Sequence, residues 1–152
     1  LVNDLHRLKI GVQGCFVFGN DEDREDVFAR TAEFVIDAAI DLPRFALLTP
    51  FPGTPLHARL DREGRILSKD WQLYDGQHVV FQPRHMTPQR LLQGHIEAWR
   101  KVYQYGSIVR RLAKARIDLP LALTANLGYR FYAHHLHTHY NCDWPIAFRE
   151  AA

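Results

Sequence analysis

Apolar residues follow two spacings along this chain, and the spacings alternate as is typical of strands connected by helices. Cys15 to Phe18 is a continuous apolar run between glycines, which favours a strand buried on both faces. A second apolar run, Phe45 to Thr49, predicts a second strand. The apolar positions between them recur at the spacing of one helix face: Val27, Thr31, Phe34, Val35, Ala38 and Ala39. This order predicts a βαβ unit with parallel strands and a right-handed crossover.

The rest of the chain has mainly helical spacing. Leucines in the first eight residues predict a helix before the first strand. Three prolines and a glycine in residues 50–55 predict a rigid loop after the second strand, at the edge where parallel α/β structures bind ligands. Thr87 followed by Pro88 marks the start of a long helix, and Pro120 is expected to break the chain. The other predicted elements are helices over 56–60, 107–116 and 123–140 and a strand over 79–81.

An acidic run, residues 20–26, precedes the first long helix. Carboxylates are favoured at a helix start, where N–H groups are free and the helix dipole is positive. We interpret the run as helix-start chemistry in preference to a metal site.

Composition and charge exclude several classes of protein. Hydrophobic residues make up 47% and charged residues 24% of the 152 residues, which indicates a globular chain. A net charge of +2 gives no basis for a nucleic-acid partner, and no apolar run is long enough to span a bilayer. Two cysteines, Cys15 and Cys142, do not make a disulfide framework and fit a cytoplasmic location. Because the chain begins at Leu1 and its one methionine is Met86, we expect a piece excised or processed from a longer protein.

Three features could carry chemistry. Gly19 either lets the chain turn out of a buried strand or lets a flat ligand approach the strand end. His135, His139 and Cys142 share a helix face and could bind zinc, although a polar helix face is the favoured interpretation. The aromatic loop from Asp70 to His78 either packs over a core edge or lines a pocket.

Three motifs together resemble one family. They are GVQGCFVFGND at 11–21, LLTPFPGTP at 47–55, and GRIL at 64–67 with DWQLYDGQHVVFQP at 70–83. They are similar to the C-terminal third of radical S-adenosylmethionine (SAM) proteins that carry an N-terminal cobalamin-binding domain. Relatives in that family include the anaerobic magnesium-protoporphyrin cyclase and enzymes of hopanoid biosynthesis.

The resemblance implies an α/β fold, or α+β for a fragment: the last βαβ portion of a partial TIM-like barrel and a mainly helical C-terminal domain. Residues 1–60 would end the barrel as its fifth and sixth strands, and residues 61–152 would form the helical domain. The family's reaction uses a [4Fe-4S] cluster held by a CxxxCxxC loop, SAM and cobalamin. This sequence lacks that loop, so none of these cofactors is expected to be bound by the fragment alone.

The resemblance also implies where ligands bind. The ends of the two strands would contact the adenine of SAM, and the aromatic loop would face the substrate. The implied cofactor-binding residues are Val17, Phe18, Gly19, Leu48, Thr49 and Pro50, and the implied substrate-side residues are Tyr74, Asp75 and His78. No metal-binding residue and no catalytic residue is implied.

Two hypotheses on function stay open at this point. In the first, the chain is part of a radical SAM oxidoreductase or methyltransferase-like enzyme and is inactive without the N-terminal part of its own chain. In the second, residues from about Ile66 onward form a non-catalytic helical module that docks a partner or covers the barrel. As a fragment with an exposed sheet edge, the chain is expected to form homo-oligomers.

Overall fold

The computed structural model describes residues 1–113 and 119–136, and in them the chain forms two strands and six α-helices. A single 3₁₀ turn, Trp71–Leu73, lies between the third and fourth helices. In chain order the elements are α1 (Val2–Arg7), β1 (Gln13–Phe18), α2 (Val27–Asp37), β2 (Leu42–Leu47), α3 (Pro55–Arg62), α4 (Pro88–Val102), α5 (Tyr105–Leu112) and α6 (Leu119–His134).

The two strands form a parallel sheet, in which Phe18 at the end of β1 is paired with Leu47 at the end of β2. The connection runs through α2, as expected for a βαβ unit. Helix α2 packs on α4, and α4 packs on β2, so the helices cover one face of the sheet. The α/β prediction with parallel strands is therefore confirmed.

The prediction that β1 is buried on both faces is wrong. Exposure alternates along the strand, so that Phe18 is buried whereas Cys15 is exposed and Val17 remains 48% exposed. Successive side chains point to opposite faces of a strand, and in the described residues the helices cover only one of the two faces. The sheet therefore has a covered face and an open face, the latter made of Gln13, Cys15, Val17, Leu42, Arg44 and Ala46.

Helix α2 forms where its spacing predicts, and Val35 and Ala39 of the predicted face are buried, but the buried face is shifted away from Phe34. Phe34, expected in the core, is 57% exposed, and the buried residues are Phe28, Ala32, Val35 and Ile36. The choice between these faces is made by the partner helix, because Phe28 packs against the backbone of α4 at Gly94.

The acidic run does not serve as the helix start. Asp26 is the N-cap of α2 but makes no side-chain capping bond. Asp23 instead accepts hydrogen bonds from the backbone N–H groups of Gly19 (2.8 Å) and Asn20 (2.9 Å), which closes the turn after β1. The run is therefore mainly turn structure, and the helix-start prediction is corrected.

Three other predictions made from the sequence concern α4, α6 and residues 79–81. Thr87 caps α4 by accepting the N–H of Arg90 at 3.1 Å, as predicted. Helix α6 begins at Leu119, so the prediction that Pro120 breaks the chain is wrong. A proline is compatible with the first turn of a helix, where its missing N–H has no partner to lose. The predicted strand at 79–81 is reduced to one antiparallel bridge between Ile66 and Phe81.

One hydrophobic cluster contains residues of both predicted segments, from Phe18 on β1 and Phe28 on α2 to Trp99 on α4 and Leu112 on α5. The boundary near residue 60 stays a prediction. None of the helices in the described residues is both long enough and apolar enough to cross a bilayer.

The outer edge of β2 is closed by Tyr103 and Gly76, which both follow the strand along the chain. The Tyr103 hydroxyl donates to the carbonyl of Pro43 at 2.7 Å, and proline has no N–H to offer there. The N–H of Leu47 donates to the carbonyl of Gly76 at 2.7 Å. These bonds occupy positions that a further strand would need, so β2 terminates the sheet on this side.

The edge of β1 away from β2 has a different character. The even-numbered residues of β1 direct their backbone groups to β2: for example, the Leu48 N–H donates to the Phe18 carbonyl at 2.8 Å. Hydrogen-bonding direction alternates along a strand, so Gln13, Cys15 and Val17 direct their backbone groups away from β2. In the described ranges, no backbone group pairs with these three residues along that edge, which leaves β1 as an unprotected edge strand.

Candidate functional site

The turn after β1 depends on Gly19. Its φ of +108° lies in the region that side-chain-bearing residues rarely adopt. A Cβ at this position would also lie 3.1 Å from Leu91 Cδ2 and 3.1 Å from Phe81 Cζ. These observations confirm the conformational interpretation of Gly19, in which the glycine lets the chain turn out of the strand.

The other five residues of the predicted SAM adenine site lie at the same end of the sheet but differ in exposure. Val17 belongs to the open face, whereas the Phe18 ring is buried on the covered face and stacks on Phe45 with centroids 5.5 Å apart. Leu48 and Thr49 are half-buried, and Pro50 is buried. The structure therefore brings the predicted residues to one sheet edge and separates their side chains between two faces.

The first residues after β2 form a compact turn. The Thr49 hydroxyl donates to the carbonyl of Leu47 at 3.2 Å, and the N–H of Phe51 donates to the Thr49 carbonyl at 3.0 Å. Thr54 then caps α3 by accepting the N–H of His57 at 3.2 Å. The hydroxyl groups of Thr49 and Thr54 therefore help to hold the turn and the helix start in the proline-rich segment.

Asp21 connects the two strand-end loops. Its carboxylate accepts hydrogen bonds from Arg65 at 2.8 Å and from Arg59 on α3. The hydrogen bond from Arg65 makes the largest contribution, and the one from Arg59 the next largest, to lowering the pKa of Asp21 from 3.8 to about 2. This network holds the turn after β1 against the segment after β2, and so it sets the shape of the strand-end site.

Replacement of Asp21 by asparagine is expected to lower the free energy of unfolding by about 1–2 kcal/mol at neutral pH. The folded-state pKa is below the ordinary value, so this stabilisation is present above about pH 4 and lost as the pH falls toward 2. Urea unfolding measured between pH 7 and pH 2 tests this.

The matched control is Asp26→Asn, because Asp26 pairs with Arg30 at 3.2 Å on the exposed side of α2. We expect a change below about 0.5 kcal/mol for the control. An equal effect of the two substitutions would contradict the role assigned to Asp21.

The aromatic loop packs beside the end of β2. Gly76 accepts the N–H of Leu47, and a Cβ on Gly76 would lie 3.7 Å from the Cβ of Ala46, a residue of the open face. The Tyr74 hydroxyl donates to the carbonyl of Ser68 at 2.7 Å, and the Tyr74 ring contacts Trp71 with centroids 4.9 Å apart. The loop thus packs on a core edge and also borders the open face. The packing interpretation is confirmed, and the pocket interpretation stays a prediction.

Asp75 and His78 form a dyad in this loop. Both carboxylate oxygens of Asp75 lie 3.0 Å from Nδ1 of His78, and Oδ1 also accepts the backbone N–H groups of Gln77 and His78. Nε2 of His78 is buried and has no hydrogen-bond partner in the described residues. A proton on Nδ1 directed at the carboxylate leaves Nε2 as a hydrogen-bond acceptor or proton acceptor.

A second buried histidine has a different role. The Trp99 indole N–H donates to Nε2 of His95 at 3.0 Å, and the same nitrogen lies 3.3 Å from the Phe45 carbonyl. Burial lowers the pKa of His95 to about 4, so this side chain is neutral at physiological pH. It belongs to the core between α4 and β2.

Within the part of the chain that the structure describes, no three His, Cys, Asp or Glu side chains come together as a metal site. Of the residues in the zinc hypothesis, His139 and Cys142 lie outside the described residues. His135 is described, is half-buried, and its Nδ1 lies 2.8 Å from the Phe131 carbonyl.

Sequence reasoning did not identify Asp21, its two arginine partners, or Arg44 on the open face. Asp21 stands inside a motif that was recognised, but its partners lie 38 and 44 residues further along the chain. Arg44 had a local signal: a charged residue between Pro43 and Phe45, both buried, indicates the opposite face of a strand.

The geometry places two parallel strand ends, a glycine turn and a proline loop at one edge of a sheet, the edge at which parallel α/β proteins bind their ligands. Residues 54–141 match the protein family described as "Domain of unknown function (DUF4070)". The match spans more than half of the 152 residues, and the chain belongs to this family.

Three methyltransferases are similar to parts of the chain. Over 112 residues the chain is 39% identical to bacteriochlorophyllide d C-12(1)-methyltransferase of Chlorobaculum tepidum, covering 74% of this chain and 24% of the relative. It is 25% identical over 111 residues to bacteriochlorophyllide d C-8(2)-methyltransferase of the same organism, covering 73% and 25%. An uncharacterized methyltransferase of Pyrococcus horikoshii is 33% identical over 79 residues, covering 51% and 17%.

The chain thus spans about a quarter of the length of the first two relatives. With the family match, these relatives confirm the resemblance to the C-terminal part of radical SAM proteins that carry a cobalamin-binding domain.

Proposed function

We propose that this chain is the C-terminal part of a cobalamin-dependent radical SAM methyltransferase whose substrate is a tetrapyrrole of the bacteriochlorophyllide type. The observation that carries the proposal is the sheet, which is closed at β2, open at β1 and bordered by recognised motifs at both strand ends. The two bacteriochlorophyllide methyltransferases among the relatives support the reaction and the substrate class.

The two strands are suited to be the last strands of a partial barrel. Tyr103 and Gly76 close the outer edge of β2, whereas the other edge of β1 has no backbone partner within the described ranges. In this proposal the preceding strands pair with β1, and the open face becomes the interior of the barrel. Two strands cannot enclose a ligand, so the 152-residue chain is expected to be inactive alone.

SAM would bind with its adenine at the strand ends. Val17 offers an apolar side chain on the open face, and the turn at Gly19 brings backbone groups to the strand end. Leu48, Thr49 and Pro50 follow on the neighbouring strand end, and Phe18 supports the edge from its covered face. The mixture of apolar side chains and backbone groups suits a purine ring with polar edges.

The substrate would lie on the side of the aromatic loop. Tyr74 is fixed by its bond to Ser68, and the Asp75–His78 dyad holds an imidazole whose Nε2 can accept a proton or a hydrogen bond. These residues supply positioning and proton acceptance from this part of the protein.

The [4Fe-4S] cluster does not fit the residues of this chain. The sequence contains only Cys15 and Cys142, fewer cysteines than a three-cysteine cluster loop requires. In the proposed enzyme the cluster and cobalamin would be held by the preceding sequence.

The experiment that tests the proposal uses the full-length protein with its cluster and cobalamin reconstituted. Bacteriochlorophyllide d, SAM and a reductant should give 5′-deoxyadenosine and a product one methyl group heavier, identified by mass spectrometry. Absence of SAM cleavage would contradict the enzyme class, and SAM cleavage with no methylated chlorin would contradict the substrate.

Val17→Asp is expected to weaken SAM binding by the full-length protein at least about tenfold, because it places an unpaired charge against the purine. Equilibrium dialysis with labelled SAM measures this. The control is Val109→Asp on α5, where valine is 66% exposed and distant in sequence from the strand ends. Equal SAM affinity in the two variants would contradict the adenine site proposed here.

A further inference from the structure

Arg44 is the one charged residue on the open face as defined above. It lies in the middle of β2, between the buried residues Pro43 and Phe45, and is paired in register with Cys15 on β1. Its other neighbours along the face are uncharged and include the small residue Ala46. The open face therefore carries a single positive charge among uncharged side chains.

Among the described residues, the guanidinium of Arg44 has no hydrogen bond and no ion pair. The two carboxylates nearest along the chain are already engaged: Asp41 with His6 and the N–H of Val12, and Asp37 with Arg110. Nine other arginines have partners in the structure: Arg7, Arg30, Arg59, Arg62, Arg65, Arg90, Arg110, Arg111 and Arg130. In the described ranges the exposed side chains of Arg24, Arg84 and Arg100 have none either, so what distinguishes Arg44 is its position on a sheet face.

A positive charge on this face requires an anion once the face is covered. Transfer of an unpaired charge out of water is costly, and guanidinium stays protonated, so a partner must supply the compensating charge. The planar fork of donors in arginine matches a carboxylate, which it binds through two parallel hydrogen bonds.

We propose that Arg44 binds a carboxylate of a ligand held inside the barrel, and that this carboxylate is the free propionate of the chlorophyllide-type substrate. This inference rests on the proposed function, which makes the open face the barrel interior. The same chemistry could come from the methionyl carboxylate of SAM, so the experiment separates the two sources.

The test measures the affinity of the full-length protein for bacteriochlorophyllide d and for its propionate methyl ester, using chlorin fluorescence. Arg44→Met removes the charge and keeps most of the apolar stem. We expect about a 10- to 100-fold weaker affinity of this variant for the acid, the range of a charge-assisted hydrogen-bonded pair. The ester should bind to the native protein as weakly as the acid binds to the variant, and substitution should not weaken ester binding further.

Two more variants keep the result interpretable. Arg44→Lys restores the charge without the fork and should recover part of the affinity. Arg84→Met removes an exposed arginine from the loop before α4 and should change neither affinity. Circular dichroism reports whether each variant is folded, and SAM cleavage without chlorin reports whether it holds its reconstituted cluster.

The outcomes separate this inference from the function on which it rests. Loss of affinity for SAM in Arg44→Met, with chlorin binding unchanged, would assign the carboxylate to SAM and overturn the propionate assignment. SAM affinity is measured by equilibrium dialysis. Equal affinities of the native protein and Arg44→Met for bacteriochlorophyllide d, its methyl ester and SAM would overturn the anion site, even if methyl transfer proceeds. If the native protein cleaves SAM but binds neither chlorin, the proposed substrate fails together with the propionate assignment.

Discussion

Replacement of Arg111 by alanine is expected to lower the free energy of unfolding by about 3–5 kcal/mol. Arg111 is 0% exposed, and its guanidinium donates to the carbonyls of Ile40 (2.8 Å), Asp41 (2.9 Å) and Val102 (3.0 Å). It also donates to Oδ1 of Asn126 at 2.8 Å. Removal of the side chain takes the guanidinium from these four buried acceptors, of which the Asp41 carbonyl keeps Asn126 Nδ2 as a donor at 3.1 Å, and opens a cavity.

The position of Arg111 explains why the loss should be large. The residue lies on α5, yet its bonds join the segment that leads into β2, the end of α4 and the middle of α6. It therefore holds three parts of the fold at one point beneath the N-terminal end of β2. Burial lowers the pKa of Arg111, but a guanidinium remains charged in proteins, so the interaction persists at all ordinary pH values.

Arg110→Ala is the matched control because it removes the same side chain from the neighbouring position. Arg110 pairs with Asp37 at 2.7 Å, and both side chains are more than half exposed. An exposed pair of this kind contributes about 0–1 kcal/mol. Urea unfolding of the two variants compares them directly, and similar midpoints would show that the Arg111 network does not stabilise the fold as inferred.

Gly94→Ala is expected to destabilise the chain by about 1–3 kcal/mol, although alanine is the better helix former. Gly94 lies inside α4, and a Cβ there would lie 2.3 Å from two ring carbons of Phe28 on α2. The ring cannot move aside easily, because it packs edge-on against Phe18 with centroids 4.9 Å apart. Relief of the clash would require α2 and α4 to separate, and both cover the sheet.

Gly106→Ala makes the same chemical change in α5 and has the opposite expected sign. Among the residues that the structure describes, no atom outside the helix's own backbone lies within 4 Å of the position that its Cβ would occupy. Helix propensity then dominates, and we expect a gain of about 0.5–1 kcal/mol. Thermal unfolding of both variants measures the difference, and a stabilised Gly94→Ala protein would show that the two helices tolerate separation.

Much of the fold could be predicted from local signals. The βαβ order, the start of α4 at Thr87 and the turn at Gly19 each depend on a few consecutive residues. The strand-end location of the candidate site follows as well, because parallel strands connected by a helix bring their C-terminal ends to one edge. The motifs there were sufficient to indicate the family.

The errors have one physical origin. The exposed face of β1, the buried face of α2 and the partners of Asp21 all depend on groups distant in sequence. Periodicity indicates that an element has an apolar side, but the packing partner selects which side is buried. Phe34 and Phe28 are both aromatic residues of one helix, and the contact with Gly94 buries only Phe28.

The sequence by itself determined the order of elements, their starts and turns, and the two motifs that meet at the sheet edge. The tertiary structure decided which edge is closed, which face is open, and that Arg44 stands on that face without a partner among the described residues. The reason is that caps, turns and strand alternation are local interactions, whereas burial and charge pairing are settled only when distant segments come into contact.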